Sequence, residues 1–381
     1  MTSEAHGKRP DTYNAAQRGR PTMADVAAHV GVSKALVSIV FRGAPGASAE
    51  TRQKVLDGAA ELGYRPDGFA QGLRRHRSKQ LGVLFTVRAP FESELVERIY
   101  PAAQALGYRV VLGAMTSGRT EDAAIEELIS YRCEALILIA PQADIQRLDV
   151  LAGQLPIVEL GRRVTTTGVD VVRSDDADGV TQAVEHLVEL GHRAIVHVDG
   201  GTNPGAAERR QGYHDAMDRH GLAEEIRVLP GDYSEESGAQ AAAELLRGDR
   251  LPTAIVAGND QSALGLLDTL LRAGIRIPDD ISLVGYDDTR FARLPFVNLT
   301  SVRQDAEQMA ELAVKAAVAR LESTLVDAKE VALTPTLVVR GTTGPPPTTA
   351  RHPPRPSATT APSIPSFSVP VPTTTPEEQS R

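Results

Sequence analysis

The sequence predicts an all-α helix-turn-helix head followed by an α/β core of two lobes, and three observations carry that reading. Residues 20 to 66 are written as three short helices with apolar positions at helical spacing. From residue 81 onward, short apolar runs alternate with amphipathic stretches, which is the pattern of parallel strands covered by helices. That alternation occurs twice, so two lobes are expected.

The head comes first in the chain. In PTMADVAAHVGVSKALVSIVFRG, Thr22 is placed to cap a helix with Asp25 three residues on, and Val26, Ala27 and Val30 follow at helical spacing. Gly31 ends that helix in a tight corner. Ser33 caps a second helix whose Val37, Val40 and Phe41 point inward, which leaves Lys34, Ala35, Ser38, Ile39 and Arg42 outward. A third helix is written in SAETRQKVLDGAAELG, capped by Ser48 and ended by Gly63. A unit of this size places its second helix in a DNA major groove, with the front of that helix at the base edges.

Charge alone favours a solvated charged surface over a nucleic-acid partner, and it is the helix spacing that shifts the reading to DNA. The whole chain is acidic, with a formal net charge of -8, but residues 1 to 79 hold 13 Lys and Arg against 7 Asp and Glu. The remainder holds 28 against 42, so a basic module sits on an acidic body. A basic patch neutralises backbone phosphates and releases their counterions.

The motifs ADVAAHVGVS, VSIVF, SAETRQKVL, LGYRPD and AQGL stand in that order from Pro21 to Leu73. VVRSDDADGVTQAVEHLVELGHR, AIVAGNDQSALG, DDISLVGYDD and LTSVRQD follow. Together they resemble the LacI/GalR family of bacterial transcription repressors, over roughly residues 20 to 340. The resemblance implies sequence-specific binding to a double-stranded, pseudo-palindromic DNA operator, controlled by a small-molecule effector that is a sugar or sugar derivative. It puts Lys34, Ala35 and Ile39 at base-reading positions, and Thr22, Ser33, Ser38 and Arg42 at phosphate contacts. Two departures stand out: Ile39 lies where many members carry Arg, and Arg42 where many carry Asn. Isoleucine lacks the bidentate contact that arginine makes to guanine, and packs on a thymine methyl instead.

After the head, GFAQGLRR reads as a short hinge helix weakened by Gly68 and Gly72. The resemblance implies that this hinge orders on the operator, with Ala70, Leu73 and Arg74 in the minor groove and Leu73 as an apolar wedge. The expected organisation is an N-terminal extension (1–19), the head (20–66), a hinge (67–79), the core (80–340) and a Pro/Thr/Ser-rich disordered tail (341–381). Within the core, one lobe takes about 80–172 and 302–328, and the other about 173–301 and 329–340.

In the core LGVLF, YRVVLGA, EALILIA and PIVELG form the first series, and RAIVHVDGG, IRVLPGD, TAIVAGND and ISLVGYDD the second. This is the type I periplasmic-binding-protein arrangement, with three chain crossings and a cleft between lobes. Ligands of open α/β sheets sit beyond the carboxyl ends of strands. Those positions hold Phe91, Arg209, Asn259 and Asp287, a set suited to a neutral polyhydroxylated molecule. Asp260 and Asp288 are expected to cap helices or close loops instead.

Other function classes fit less well. No P-loop, GxGxxG after the first strand, or HExxH spacing is present, so neither an enzyme nor a cofactor is expected. His186, His192 and His197 read as structural, and the single Cys133 as a core thiol, which leaves no cysteine-based metal site. A solute-binding or sugar-modifying protein sharing the core fold is the alternative, but neither has a use for residues 21 to 79. With no signal-peptide core or membrane-length apolar run, a cytoplasmic protein is expected, and a homodimer is expected because one head reads too few base pairs.

Overall fold

The computed structural model describes residues 21–41, 43–64, 77–164, 166, 168–322 and 328–348. In the head, α1 (Met23–Val30), α2 (Lys34–Phe41) and α3 (Ala49–Glu61) enclose a small core of Val26, Val30, Val37, Val40 and Val55. Thr22 and Asp25 form a reciprocal capping box, the Thr22 backbone N–H donating to Asp25 at 2.7 Å. Gly31 takes a φ of 75°, and α2 turns 109° away from α1. The helices pack so tightly that a Cβ at Gly58 of α3 would lie 2.3 Å from Val30 Cγ2.

Beyond the head, the chain divides into two compact units. The first runs to Arg173 and resumes for Ala306–Val331; the second takes Ser174–Asp305 and the chain from Ala332. In the first unit β1 (Gln80–Thr86), β2 (Arg109–Met115), β3 (Ala135–Ile139), β4 (Ile157–Leu160), β5 (Val169–Ser174) and β11 (Glu330–Leu333) form a sheet in the order β11-β5-β4-β3-β1-β2. It is covered by α4 (Pro90–Ala105), α5 (Glu121–Ser130), α6 (Ile145–Ala152) and α11 (Ala306–Glu322). Every residue of β3 is buried, as befits a strand covered on both faces.

The second unit repeats the pattern. β6 (Ile195–Val198), β7 (Arg227–Leu229), β8 (Ala254–Ala257), β9 (Ser282–Asp287), β10 (Thr300–Arg303) and β12 (Thr336–Val338) lie in the order β12-β10-β9-β8-β6-β7. Its helices are α7 (Asp176–Glu189), α8 (Ala206–Arg219), α9 (Glu235–Arg247) and α10 (Asp260–Arg272). The strands from β6 to β10 pair in parallel, and β12 runs antiparallel to β10. The winding direction reverses between β6 and β8, which is where such a sheet opens a crevice.

Three boundaries differ from those read in the sequence. β10 pairs with β9, so the chain crosses after residue 305 rather than before 302. β11 joins the first sheet, because Asp170 of β5 accepts the Lys329 backbone N–H at 2.9 Å and holds the returning segment. The tail does not start at 341. Leu283 N–H donates to Thr342 O at 2.8 Å, and the Thr342 hydroxyl donates back to Leu283 O at 2.7 Å. The carbonyl of Gly344 lies 2.8 Å from His192 Nε2. These polar residues are held by backbone pairing, a bond type that composition does not reveal.

Candidate nucleic-acid interface and ligand site

On α2, Ser33 Oγ accepts the Leu36 N–H at 3.2 Å and starts the helix. Lys34 and Ala35 are exposed at its front, and Ser38 and Ile39 are half-buried one turn on. The turn that follows folds back on the helix. Ala44 N–H donates to Ile39 O at 3.2 Å, and Arg52 of α3 donates to Val40 O at 3.1 Å and to Ala44 O at 3.0 Å. Arg42, Ala70, Leu73 and Arg74 lie outside the described residues.

The second unit gathers its charged residues at the carboxyl ends of its strands. Arg209, in the first turn of α8, is 6% exposed and donates from Nε to Asp176 Oδ1 at 2.8 Å. Its Nη1 donates to Gly258 O at 2.7 Å, and its Nη2 lies 3.6 Å from Asp287 Oδ1. The guanidinium stacks over the Tyr286 ring at 3.6 Å from the centroid, with the Tyr233 ring at 5.2 Å. α8 approaches Asp176 this closely because its cap is Gly205, at a φ of 78°, where a Cβ would meet Asp176 Oδ2 at 3.0 Å. Burial pushes the Asp176 carboxyl above its ordinary range, and Arg209 partly offsets that shift.

Around this hub the other strand ends are fixed. Asp287, at a left-handed φ of 101°, accepts from Gln304 Nε2 at 2.7 Å. Asn259 caps α10, its Oδ1 accepting the Ser262 N–H at 2.9 Å. Asp260 is wholly enclosed: its Oδ2 accepts the Thr289 N–H at 2.6 Å and the Thr289 hydroxyl at 2.9 Å, and its Oδ1 accepts from Ser301 at 2.6 Å. Burial and the charge of Asp287 push the Asp260 carboxyl up to about 8. Asp288 pairs with Arg303 at 2.7 Å and Arg340 at 2.6 Å. Both carboxylates therefore close the loop after β9, and the helix cap is Asn259 rather than Asp260.

Buried polar atoms near the hub that meet no hydrogen-bond partner among the described residues include the Tyr233 hydroxyl and Asp199 Oδ1. Tyr233 sits at a φ of 70° over a floor of glycines, where a Cβ at Gly200 would lie 2.2 Å from its ring. Asp199 follows β6 and engages Arg210 through its other oxygen.

Residues 22–67 match the family described as "Bacterial regulatory proteins, lacI family", and residues 184–343 the "Periplasmic binding protein-like domain". The HTH-type transcriptional regulator GalR of Escherichia coli is 33% identical over 87% of this chain and 98% of its own. The chain belongs to the LacI family. It is a DNA-binding transcriptional regulator like its curated relatives. A LacI transcriptional regulator from a Rhodococcus species shares 46% identity over 70% of this chain and 99% of that chain, with a TM-score of 0.69. The lac repressor dimer bound to operator and the anti-inducer ONPF shares 31% over 86% of this chain and 100% of that chain, with a TM-score of 0.74.

In this LacI-family chain Arg209, Asn259 and Asp287 converge at the ends of the second sheet, whereas Phe91 stands in the first turn of α4, in the first unit. Sequence reasoning missed Asp176, Tyr233 and Gln304. Each lies just past a strand, so the rule that selected Asp287 would also have found them. Among the described residues, no single helix is long and apolar enough to cross a membrane.

Proposed function

We propose that this regulator acts in the cytoplasm as a homodimeric repressor of a pseudo-palindromic operator, and that a neutral carbohydrate bound at the strand ends of the second unit sets its operator affinity. Lys34, Ala35 and Ile39 face base edges, and Thr22, Ser33 and Ser38 lie toward phosphates. A two-fold protein matches a two-fold site, since one head spans too few base pairs for specificity.

The observation that carries the effector reading is the Arg209 hub. It places one cation between two carboxylates at the switch point of an open sheet, and beside them lie buried polar atoms, the Tyr233 hydroxyl and Asp199 Oδ1, that lack partners among the described residues. Asp176 and Asp287 already outnumber Arg209, so an anionic ligand would meet surplus negative charge; hydroxyl groups both donate to carboxylates and accept from arginine.

The test is operator binding by fluorescence anisotropy across a panel of neutral mono- and disaccharides and their phosphates. A neutral sugar that shifts operator affinity in the wild type, and shifts it less in Asp287→Asn, is the expected result. A panel in which only phosphorylated sugars act would contradict the reading.

A further inference from the structure

The outer face of α2 carries an apolar stripe where a DNA-reading helix ordinarily presents hydrogen-bonding groups. Ala35 and Ile39 stand four residues apart, so they lie one above the other on that face, opposite the buried Val37 and Val40. Ile39 sits at the base of the turn that follows α2. Its side chain is half-buried and reaches toward Gly46, a residue held at a φ of 120° that favours glycine and so leaves room for the isoleucine beside it. The turn itself is anchored by Ala44 N–H on Ile39 O and by both Arg52 donors. Ile39 is therefore a half-buried hydrocarbon group whose backbone is anchored.

We infer that Ile39 reads the C5 methyl group of a pyrimidine, and that each operator half-site carries a thymine under the second turn of α2. The other groups that distinguish base pairs in the major groove are hydrogen-bond donors or acceptors. A hydrocarbon pressed on one of those strips its water and returns nothing, whereas one pressed on a methyl buries apolar surface on both sides. Ala35, one turn nearer the front, leaves the room that lets the base edge approach. This rests on the proposed placement of α2 against base edges.

The experiment begins with selection of duplexes by the wild-type chain from unmethylated random DNA, followed by replacement of each thymine in the selected site by uracil, one at a time. That change removes a methyl group and nothing else. At one position per half-site it should weaken wild-type binding about fourfold, the worth of one buried methyl. In Ile39→Ala, checked by circular dichroism for an intact head, the same replacement should have no effect, and Ile39→Val should fall between. Putting 5-methylcytosine at that position should bind the wild type more tightly than cytosine does, by the same factor. Uracil tolerated at every position, or an equal loss in Ile39→Ala, overturns the inference while leaving the DNA-reading assignment intact. Failure to enrich any sequence sinks both.

Discussion

Asp176 and Arg209 form a buried ion pair at 2.8 Å that ties the first turn of α7 to the first turn of α8. Removing one partner leaves the other charge uncompensated in a low dielectric, which costs roughly 3 to 5 kcal/mol, whereas replacing both with apolar side chains is far milder. Urea unfolding of Arg209→Ala and Asp176→Ala should show losses of that size, and Arg209→Met with Asp176→Leu should show much less than their sum. Arg209 variants therefore report folding as well as ligand binding, and Asp287→Asn is the cleaner probe of the site.

Tyr233 separates stability from binding in the opposite sense. Its buried hydroxyl has no partner among the described residues, and such a group costs about 1 to 3 kcal/mol. Tyr233→Phe should then unfold at higher urea concentration than the wild type while holding its sugar effector less tightly. A variant less stable than the wild type would show that the hydroxyl is satisfied.

His197 should make the second unit acid-sensitive. Burial holds its imidazole down at about 4, while Nδ1 lies 3.0 Å from Val256 O and the ring stacks on Tyr213. The unfolded chain binds a proton near the ordinary value of about 6.5. Between those two values the unfolded state holds more protons, so stability falls as pH drops through that window. A shift of this size corresponds to an upper bound of about 3 kcal/mol. His186 and His192 are also lowered by burial, and Asp260 acts in the opposite direction because its carboxyl is raised. The measurement is accordingly a difference between the wild type and His197→Gln, in which those contributions cancel. An unchanged pH slope in the variant would contradict it.

Gly58 should be required by the head alone. A Cβ there would overlap Val30 Cγ2 and also crowd His29 of the same helix. Overpacking of this kind costs about 1 to 3 kcal/mol, a large share of the stability of a head this small. Gly58→Ala should lose operator binding while the thermal transition of the α/β units stays in place.

What the sequence disclosed and what it hid follow from the range of the interactions. Thr22 with Asp25, Gly31 at the corner and Ser48 at its cap are contacts within three residues, and each was legible from local spacing. The strand runs were legible because parallel strands buried on both faces are nearly continuous in apolar residues. Arg209 was legible as a residue at the carboxyl end of the second sheet, but its partner Asp176 is 33 residues away and is brought in by Gly205. Asp260 was legible as a residue that caps a helix or closes a loop, but not its loop partner Ser301, 41 residues on. The placement of Gly46 beside Ile39 required a turn whose path no periodicity encodes.

The central claim is that the head reads DNA sequence, and competition binding tests it most directly. The full chain would be titrated with the selected duplex and with a scrambled duplex of equal length and composition, at two salt concentrations. The account predicts a two-fold symmetric selected site bound at least about a thousandfold more tightly than the scrambled duplex, with both affinities falling as salt rises. Equal affinity for the two duplexes at both salt concentrations would contradict it.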